Sequence, residues 1–137
     1  MTDYLVDNSV WARLATGDPG ITERLRRIER APADLFVTCP PQVLDFCHSA
    51  RSLEEYAHYR EQISLGFPLE RAPDESLVLD IQSALWHSGL VRAAGSLDIL
   101  IAGYAIVNDA TVLTADHDFD HIAKVSGLLH EYIAPSL

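Results

Sequence analysis

The chain has 137 residues and a net charge of −10, from 20 acidic against 10 basic residues, and 48% of its residues are hydrophobic. This length and composition predict one folded domain over residues 1–137, and the excess of acid argues against nucleic-acid binding by bulk charge alone. No segment reaches the roughly 18 apolar residues that a membrane span needs, and the N-terminus carries no targeting signal, so we expect a cytoplasmic protein with no membrane attachment.

The first part of the chain alternates an apolar run with two helical patterns. Residues 4–6 predict a strand, and a helix follows at once with Asn8 or Ser9 as its cap. A turn over residues 17–20 leads to a second helix over residues 21–31, which carries the chain's one basic cluster. We interpret this cluster either as a solvated helix face or as a contact for a phosphate backbone or an acidic partner. Its members are Arg24, Arg26, Arg27 and Arg30.

A charged residue stands out in the third predicted helix. Residues 35–38 predict a second strand, and Pro40-Pro41 then opens a helix, because proline fits the first helical turn. Asp45 lies inside this helix among apolar neighbours. Since an unpaired buried carboxylate is costly, Asp45 either turns outward or is held for a purpose. Beyond it we predict a helix over residues 52–65, a short strand at 67–69, and a helix that starts at residues 73–75 and ends at Gly89.

The stretch SLDILIAGYAIVNDATVLTADHDFD, residues 96–120, is the most informative. It predicts a buried helix with Ser96 as its cap, Asp98 in its first turn and no charge from residue 99 to residue 107. A turn at residues 108–109, a strand over 111–114 and an acidic loop with Asp116, Asp118 and Asp120 follow. A short helical turn at 121–125 and a last strand over 128–133 complete the chain. If this stretch has no catalytic or binding role, Asp98 only caps the helix and the acidic loop is only a solvated surface loop.

Strands that alternate with helices predict an α/β fold with a parallel sheet, whose ligand site lies outside the carboxyl ends of the strands. Asp7 and Asp116 follow strands, and the helices that carry Asp45 and Asp98 can bring them to the same cavity. Carboxylates without a His or Cys partner suit Mg²⁺ or Mn²⁺, and such a site can activate water and stabilise charge on a phosphodiester. Other sites fit less well: His117 and His121 have helical spacing for zinc but no evident third ligand, and no G-x-S-x-G elbow supports a serine hydrolase.

Four segments carry a family resemblance. YLVDNSVWARL, PPQVLDFCHSAR, SLDILIAGYA and VLTADHDFDHIA follow the order and spacing of PIN-domain ribonucleases, and the chain resembles the VapC toxins of bacterial type II toxin–antitoxin pairs. The resemblance implies a single PIN domain, with a short, mainly parallel central sheet of about 4–5 strands flanked by about 6–7 helices. It also implies Mg²⁺- or Mn²⁺-dependent cleavage of cellular RNA, a homodimer, and inhibition by a cognate VapB antitoxin. By the same resemblance the catalytic metal ligands are Asp7, Asp45, Asp98 and Asp116, with Asp118 as a fifth candidate.

Two positions depart from the family pattern. The acid in the third helix is usually Glu, and Asp45 is shorter by one methylene, a loss of reach of roughly 1.3 Å. Many relatives also have proline just before the acid at Asp98, where this chain has Leu97. A weakened PIN domain that acts only by binding a partner is therefore one alternative.

A phosphoacceptor receiver domain is a second alternative, because it shares the layout and an acidic Mg²⁺ pocket. It would require paired acids after the first strand and a lysine after a late strand. In this chain Asn8 follows Asp7, and the lone lysine, Lys124, lies in the last helical turn.

Overall fold

The computed structural model describes residues 1–136 and has a five-stranded parallel sheet at its centre. The strands are β1 (Asp3–Val6), β2 (Leu35–Thr38), β3 (Phe67–Pro68), β4 (Thr111–Thr114) and β5 (Leu129–Tyr132), in the order β3-β2-β1-β4-β5. The helices of the described residues are α1 (Asn8–Ala15), α2 (Pro19–Arg30), α3 (Pro40–His48), α4 (Leu53–Ile63), α5 (Glu75–His87), α6 (Ser96–Val107) and α7 (Asp118–Val125). The predicted α/β architecture is thus confirmed.

Helices cover both faces of the sheet, and alternate residues of each strand supply the two cores. In β1, Leu5 is fully buried in a core formed with α5, α6 and α7. Tyr4 and Val6 point the other way, into a second core formed with α1 and α2. β4 divides in the same manner, with Val112 in the first core and Leu113 in the second. The central strands are therefore buried on both sides, and their carboxyl ends are held at fixed positions.

Two predicted helix caps are wrong, and in both helices the true cap lies one or two residues closer to the N-terminus than predicted. Asp7, rather than Asn8 or Ser9, caps α1: its backbone is still extended (φ −70°, ψ 152°) and its carboxylate accepts a hydrogen bond from the Ser9 amide. Gly95, rather than Ser96, caps α6, again with an extended backbone. An N-cap residue has an extended backbone, and the last extended residue before each helix is Asp7 for α1 and Gly95 for α6.

Several element ends also differ from prediction. The acidic loop is shorter than predicted, because Asp118 and Asp120 form the first turn of α7, where acids are favoured by the helix dipole. α2 begins at Pro19, since the buried carboxylate of Asp18 accepts from the amides of Gly20 and Ile21. α4, β3 and β5 are each slightly shorter than predicted.

The α6 helix is uncharged from Ile99 to Val107, as predicted, and its buried side faces the core. It ends at Val107 with Asn108 as its C-cap, and Asp109 then turns the chain with a left-handed backbone (φ 53°), which confirms the predicted turn. Of the helices within residues 1–136, none combines the length and the apolar character that crossing a membrane requires.

Candidate functional site

The carboxyl ends of β1 and β4 form the topological switch point of the sheet. The chain passes from β1 to β2 on one side, whereas β4 pairs with β1 on the other. A crevice at such a point is the usual ligand site of an open parallel sheet. Asp7 follows β1 directly and Asp116 lies two residues beyond the end of β4. Two of the predicted site residues therefore lie on either side of this crevice.

Asp7 is a buried carboxylate, only 4% exposed, that is held by hydroxyl groups. Its Oδ2 accepts hydrogen bonds from the Ser9 hydroxyl (2.6 Å) and the Thr114 hydroxyl (3.2 Å), as well as from the Ser9 amide (3.3 Å). These bonds stabilise the anion, but desolvation by burial outweighs them and raises the pKa of Asp7 above its usual range. Nearby Asp116 raises it further.

The two hydroxyls that hold Asp7 are themselves oriented by backbone amides. The Ser9 Oγ accepts from the amide of Ala115 (2.9 Å), and the Thr114 Oγ1 accepts from the amide of Asp116 (3.2 Å). Both hydroxyl protons are then free to point at Oδ2 of Asp7. No hydrogen bond within residues 1–136 reaches Oδ1 of Asp7. One carboxylate oxygen is thus fixed by the protein, and the other remains available to a ligand.

The carboxyl group of Asp98 is strongly perturbed by its surroundings. It lies in the first turn of α6, as predicted. Its pKa is raised to about 7, first by desolvation and then by the negative charges of Asp7, Asp118 and Asp116; the Gly95 amide offsets this only in part. The helix dipole also favours the anion here, but burial and like charge prevail. Four predicted site residues are therefore close enough to repel one another.

Asp118 and Asp45 complete the group. Asp118, on α7, has its pKa raised by desolvation and by Asp116, and its amide donates to Oδ1 of Asp116 (3.0 Å). Asp45 is partly buried on α3, and its pKa is raised by desolvation and by Asp116, against an opposing effect of His48. Asp45 is thus near enough to the acidic group to interact with Asp116. All five predicted site residues therefore lie at this end of the sheet and interact electrostatically.

Two supporting side chains were missed from the sequence. Thr114 is fully buried and holds Asp7, as described above. Gln42, only 2% exposed, donates to the Val6 carbonyl (2.7 Å) and accepts from the Cys39 amide (3.3 Å), so it fixes the end of β1 to the start of α3. The role of Gln42 could have been recognised from the sequence, because a Gln at the third helical position can close a capping box.

The donor chemistry of this group fits a hard divalent cation. It consists of carboxylates, whose mutual repulsion a Mg²⁺ or Mn²⁺ ion relieves. Within residues 1–136, however, no three His, Cys, Asp or Glu side chains are arranged to ligate one ion. Metal binding therefore requires carboxylates of the group to rearrange, and Oδ1 of Asp7 has no hydrogen bond within residues 1–136 to give up.

Comparison with known proteins agrees with this architecture. Ribonuclease VapC11 of Mycobacterium tuberculosis (strain ATCC 25618 / H37Rv) is 30% identical over 132 residues, a match that covers 90% of this chain and 94% of that protein. Ribonuclease VapC2 of Mycobacterium tuberculosis (strain CDC 1551 / Oshkosh) is 31% identical over 131 residues, covering 93% and 91%. The crystal structure of DNA-bound VapBC from Salmonella typhimurium matches with a TM-score of 0.70 at 18% identity, covering 96% of this chain and 98% of that chain, which bears on the fold alone.

The receiver-domain alternative does not survive these observations. Receiver domains have the strand order 2-1-3-4-5, whereas the order here is β3-β2-β1-β4-β5. The sequence pattern of the PIN domain family matches residues 4–125, which include β4, all of β1 except Asp3, and all five carboxylates of the site. The chain therefore belongs to the PIN-domain family.

Proposed function

We propose that the chain is a metal-dependent endoribonuclease that acts as the toxin of a toxin–antitoxin pair. The observation that carries the proposal is the convergence of five carboxylates at the switch point of the sheet, with the pKa of Asp98 raised to about 7 by burial and by its acidic neighbours. A bound cation relieves this repulsion and lets the carboxylates stay ionised at neutral pH. The relatives named ribonuclease support RNA as the substrate.

In this proposal the carboxylates of Asp7, Asp45, Asp98, Asp116 and Asp118 hold a Mg²⁺ or Mn²⁺ ion. The bound ion supplies charge neutralisation for a phosphodiester and a nucleophilic water. Ser9 and Thr114 keep Oδ2 of Asp7 occupied, so that only Oδ1 points to the ligand. Gln42 fixes the end of β1 against α3, which sets the separation of Asp7 and Asp45.

The test is cleavage of a defined RNA by the purified protein, with and without Mn²⁺, followed by analysis of the new ends. Attack by water leaves no 2′,3′-cyclic phosphate, whereas attack by the ribose 2′-hydroxyl does. We expect Mn²⁺-dependent cleavage without cyclic ends. Absence of cleavage at every Mn²⁺ concentration would instead favour the alternative of a PIN domain that acts only by binding a partner.

Divalent ions should stabilise the fold through Asp7. At about ten times the dissociation constant, Mn²⁺ adds about 1.4 kcal/mol and raises the melting temperature by about 4 °C. Asp7→Asn should remove most of this rise, because it removes the charge beside the open oxygen. Asp109→Asn is the matched control, since Asp109 is exposed and Asn tolerates its left-handed backbone. Equal Mn²⁺ shifts in both variants would place the ion elsewhere.

Lengthening Asp45 should increase activity. Asp45 interacts with Asp116, and the family resemblance implies the longer Glu at this place. Asp45→Glu restores roughly 1.3 Å of reach without a change of charge. We expect about a tenfold faster cleavage, equivalent to about 1.4 kcal/mol in the barrier. Both variants should be compared on one RNA across a Mn²⁺ titration; a Glu variant that is equal or slower throughout would mean that the site is built around Asp.

The proposed partner is a VapB-like antitoxin. A groove with a largely apolar lining, which could receive part of such a partner, lies beside α1. It has a volume of about 630 Å³ and an apolar lining that includes Trp11, Phe36, Phe46, Tyr59, Ile63 and Leu65. Arg26 and Glu29 also line it. Such a groove suits the apolar face of an amphipathic helix. The VapBC complexes among the structural neighbours support this class of partner.

We also propose that two copies of the chain associate, as the family resemblance implies. Leu79 and Trp86 are both largely exposed on α5. They are seven residues apart and therefore lie on the same face of that helix. Exposed apolar residues that share one face are typical of a protein–protein contact. Sedimentation of the purified protein tests this, and a monomer at all concentrations would contradict it.

A further inference from the structure

An aromatic pair lies beside the acidic group and plays no part in holding it. The ring of His117 stacks on the ring of Tyr132, with centroids 4.3 Å apart and planes inclined by 30°. The His117 side chain is nevertheless 67% exposed, so one face of its ring is covered and the other is open. A flat, exposed ring with a rigid support behind it is a surface on which another planar group can stack.

The His117 ring is also fixed in its plane. Its Nδ1 lies 2.8 Å from Oδ2 of Asp120, and Oδ1 of Asp120 lies 2.8 Å from Nε2 of His130. Asp120 thus bridges a residue at the start of α7 and a residue of β5. These bonds restrict rotation of the ring before any ligand arrives, which lowers the entropy lost on binding.

The position of the pair relates it to the proposed reaction. His117 lies between Asp116 and Asp118 in the chain, and the Asp118 amide donates to Oδ1 of Asp116 across it (3.0 Å). Tyr132 is the last residue of β5, so it lies at the same edge of the sheet as the ends of β1 and β4. A polynucleotide with a phosphate at the acidic group therefore has a neighbouring base within reach of His117.

A stacking contact would also contribute to RNA binding in a protein whose net negative charge repels RNA. The chain has a net charge of −10 and gains no general attraction for RNA. In its basic cluster, Arg24 is already engaged with both carboxylate oxygens of Glu131, at 2.6 and 2.9 Å. Stacking on an aromatic ring provides binding energy that does not depend on positive charge.

From this arrangement we propose that the open face of His117, backed by Tyr132, is a stacking platform for one RNA base next to the phosphate that is cleaved. The proposal rests on the proposed ribonuclease function and adds a substrate contact to it. The contact is to the face of a base, so it favours purines, which have the larger ring surface, over pyrimidines. It makes no use of base-pairing edges.

Binding of a short phosphorothioate-linked oligoadenylate, measured with millimolar Ca²⁺ as the divalent ion, tests the proposal without requiring cleavage. An abasic strand of the same length, with the same backbone but no bases, is the second probe. The wild type should bind oligoadenylate more tightly than the abasic strand. His117→Ala should weaken oligoadenylate binding about tenfold and leave abasic binding unchanged. His117→Phe, which keeps a ring but not the bond to Asp120, should restore most of the affinity.

The controls separate stacking from charge and from folding. His58→Ala removes another exposed histidine, on α4, and should change neither affinity. The dependence of affinity on salt should be the same for His117→Ala and the wild type, because no phosphate contact is lost. Should His117→Ala fail to fold, His117→Leu against His117→Phe gives the same comparison.

Several results would overturn the platform: no preference of the wild type for the probe with bases, equal losses of His117→Ala on both probes, or a Phe variant as weak as the Ala variant. Cleavage is scored separately with Mn²⁺. If the wild type cleaves RNA and the His117→Ala variant binds RNA as tightly as the wild type, the platform is refuted and the ribonuclease proposal stands. If His117 is required for binding the probe with bases but the wild type never cleaves RNA, the ribonuclease proposal is refuted and the base contact stands.

Discussion

Replacing Asp98 by Asn is expected to slow RNA cleavage by at least about a hundredfold, equivalent to about 2.7 kcal/mol in the barrier. The substitution keeps the shape of the side chain and removes its charge. Asp98 interacts with Asp7, Asp116 and Asp118 at once, so its charge is coupled to three other carboxylates of the group. Losing it weakens the site for any cation that the group holds.

The same substitution should make the metal-free protein more stable at pH 8. The pKa of Asp98 is raised from 3.8 to about 7 in the folded state. Between these values the folded protein binds a proton that the unfolded chain has lost, so the free energy of unfolding falls as pH rises through this range. Above about pH 7 the wild type carries the full cost of a repelled charge, and the Asn variant does not.

Cleavage of one RNA and thermal melting at pH 5 and pH 8, both for Asp98→Asn, measure these two effects. Asp80→Asn, on the exposed surface of α5, is the control and should alter neither. Activity near the wild-type level in Asp98→Asn would remove Asp98 from the site. A variant that melts lower than the wild type at pH 8 would show that the helix dipole, rather than carboxylate repulsion, dominates at this position.

Placing a charge in the groove should release the antitoxin. Leu65 lines the groove and is 83% exposed, so Leu65→Asp should not disturb folding. In a complex that covers the groove, the new carboxylate is desolvated against apolar side chains, which is costly. We expect the complex with the antitoxin to be weaker by about thirtyfold, or about 2 kcal/mol.

Leu53→Asp is a closely matched control for this change. Leu53 is 84% exposed, at the start of α4, and it does not line the groove. Titration calorimetry with the product of the neighbouring gene compares the two variants directly. Equal affinities for Leu53→Asp and Leu65→Asp would mean that the antitoxin binds outside the groove. In that case its contact with the toxin must be sought elsewhere, for instance at the acidic group, which a bidentate arginine would suit.

The fold and the acidic residues could be predicted because each depends on local patterns. Apolar runs of β1 and β4 predict central strands, and in a parallel sheet the residues that follow them meet at one edge. Asp98 was recognisable as a lone acid heading an uncharged helix. Asp45 stayed ambiguous, since an isolated helix does not indicate which side faces the core. Its interaction with Asp116 emerges only when α3 is packed.

What the sequence concealed are contacts between residues far apart in the chain. Thr114 reaches Asp7 across 107 positions, and Gln42 reaches the Val6 carbonyl across 36. The His117–Tyr132 stack likewise depends on the register between the start of α7 and the end of β5. The cap of α1 was misplaced for a smaller reason, because Asp7 serves as both a cap and a site carboxylate, and the pattern suggested only the second role.

The most direct test of the central claim is an anomalous difference map from a crystal of the protein grown with Mn²⁺. We predict a peak within coordination distance of Oδ1 of Asp7 and of the carboxylates of Asp98 and Asp116. Oδ2 of Asp7 should keep its bonds to Ser9 and Thr114. A peak that places Mn²⁺ elsewhere would contradict the claim that these carboxylates form the catalytic metal site. The absence of any peak at a Mn²⁺ concentration that supports cleavage would contradict it as well.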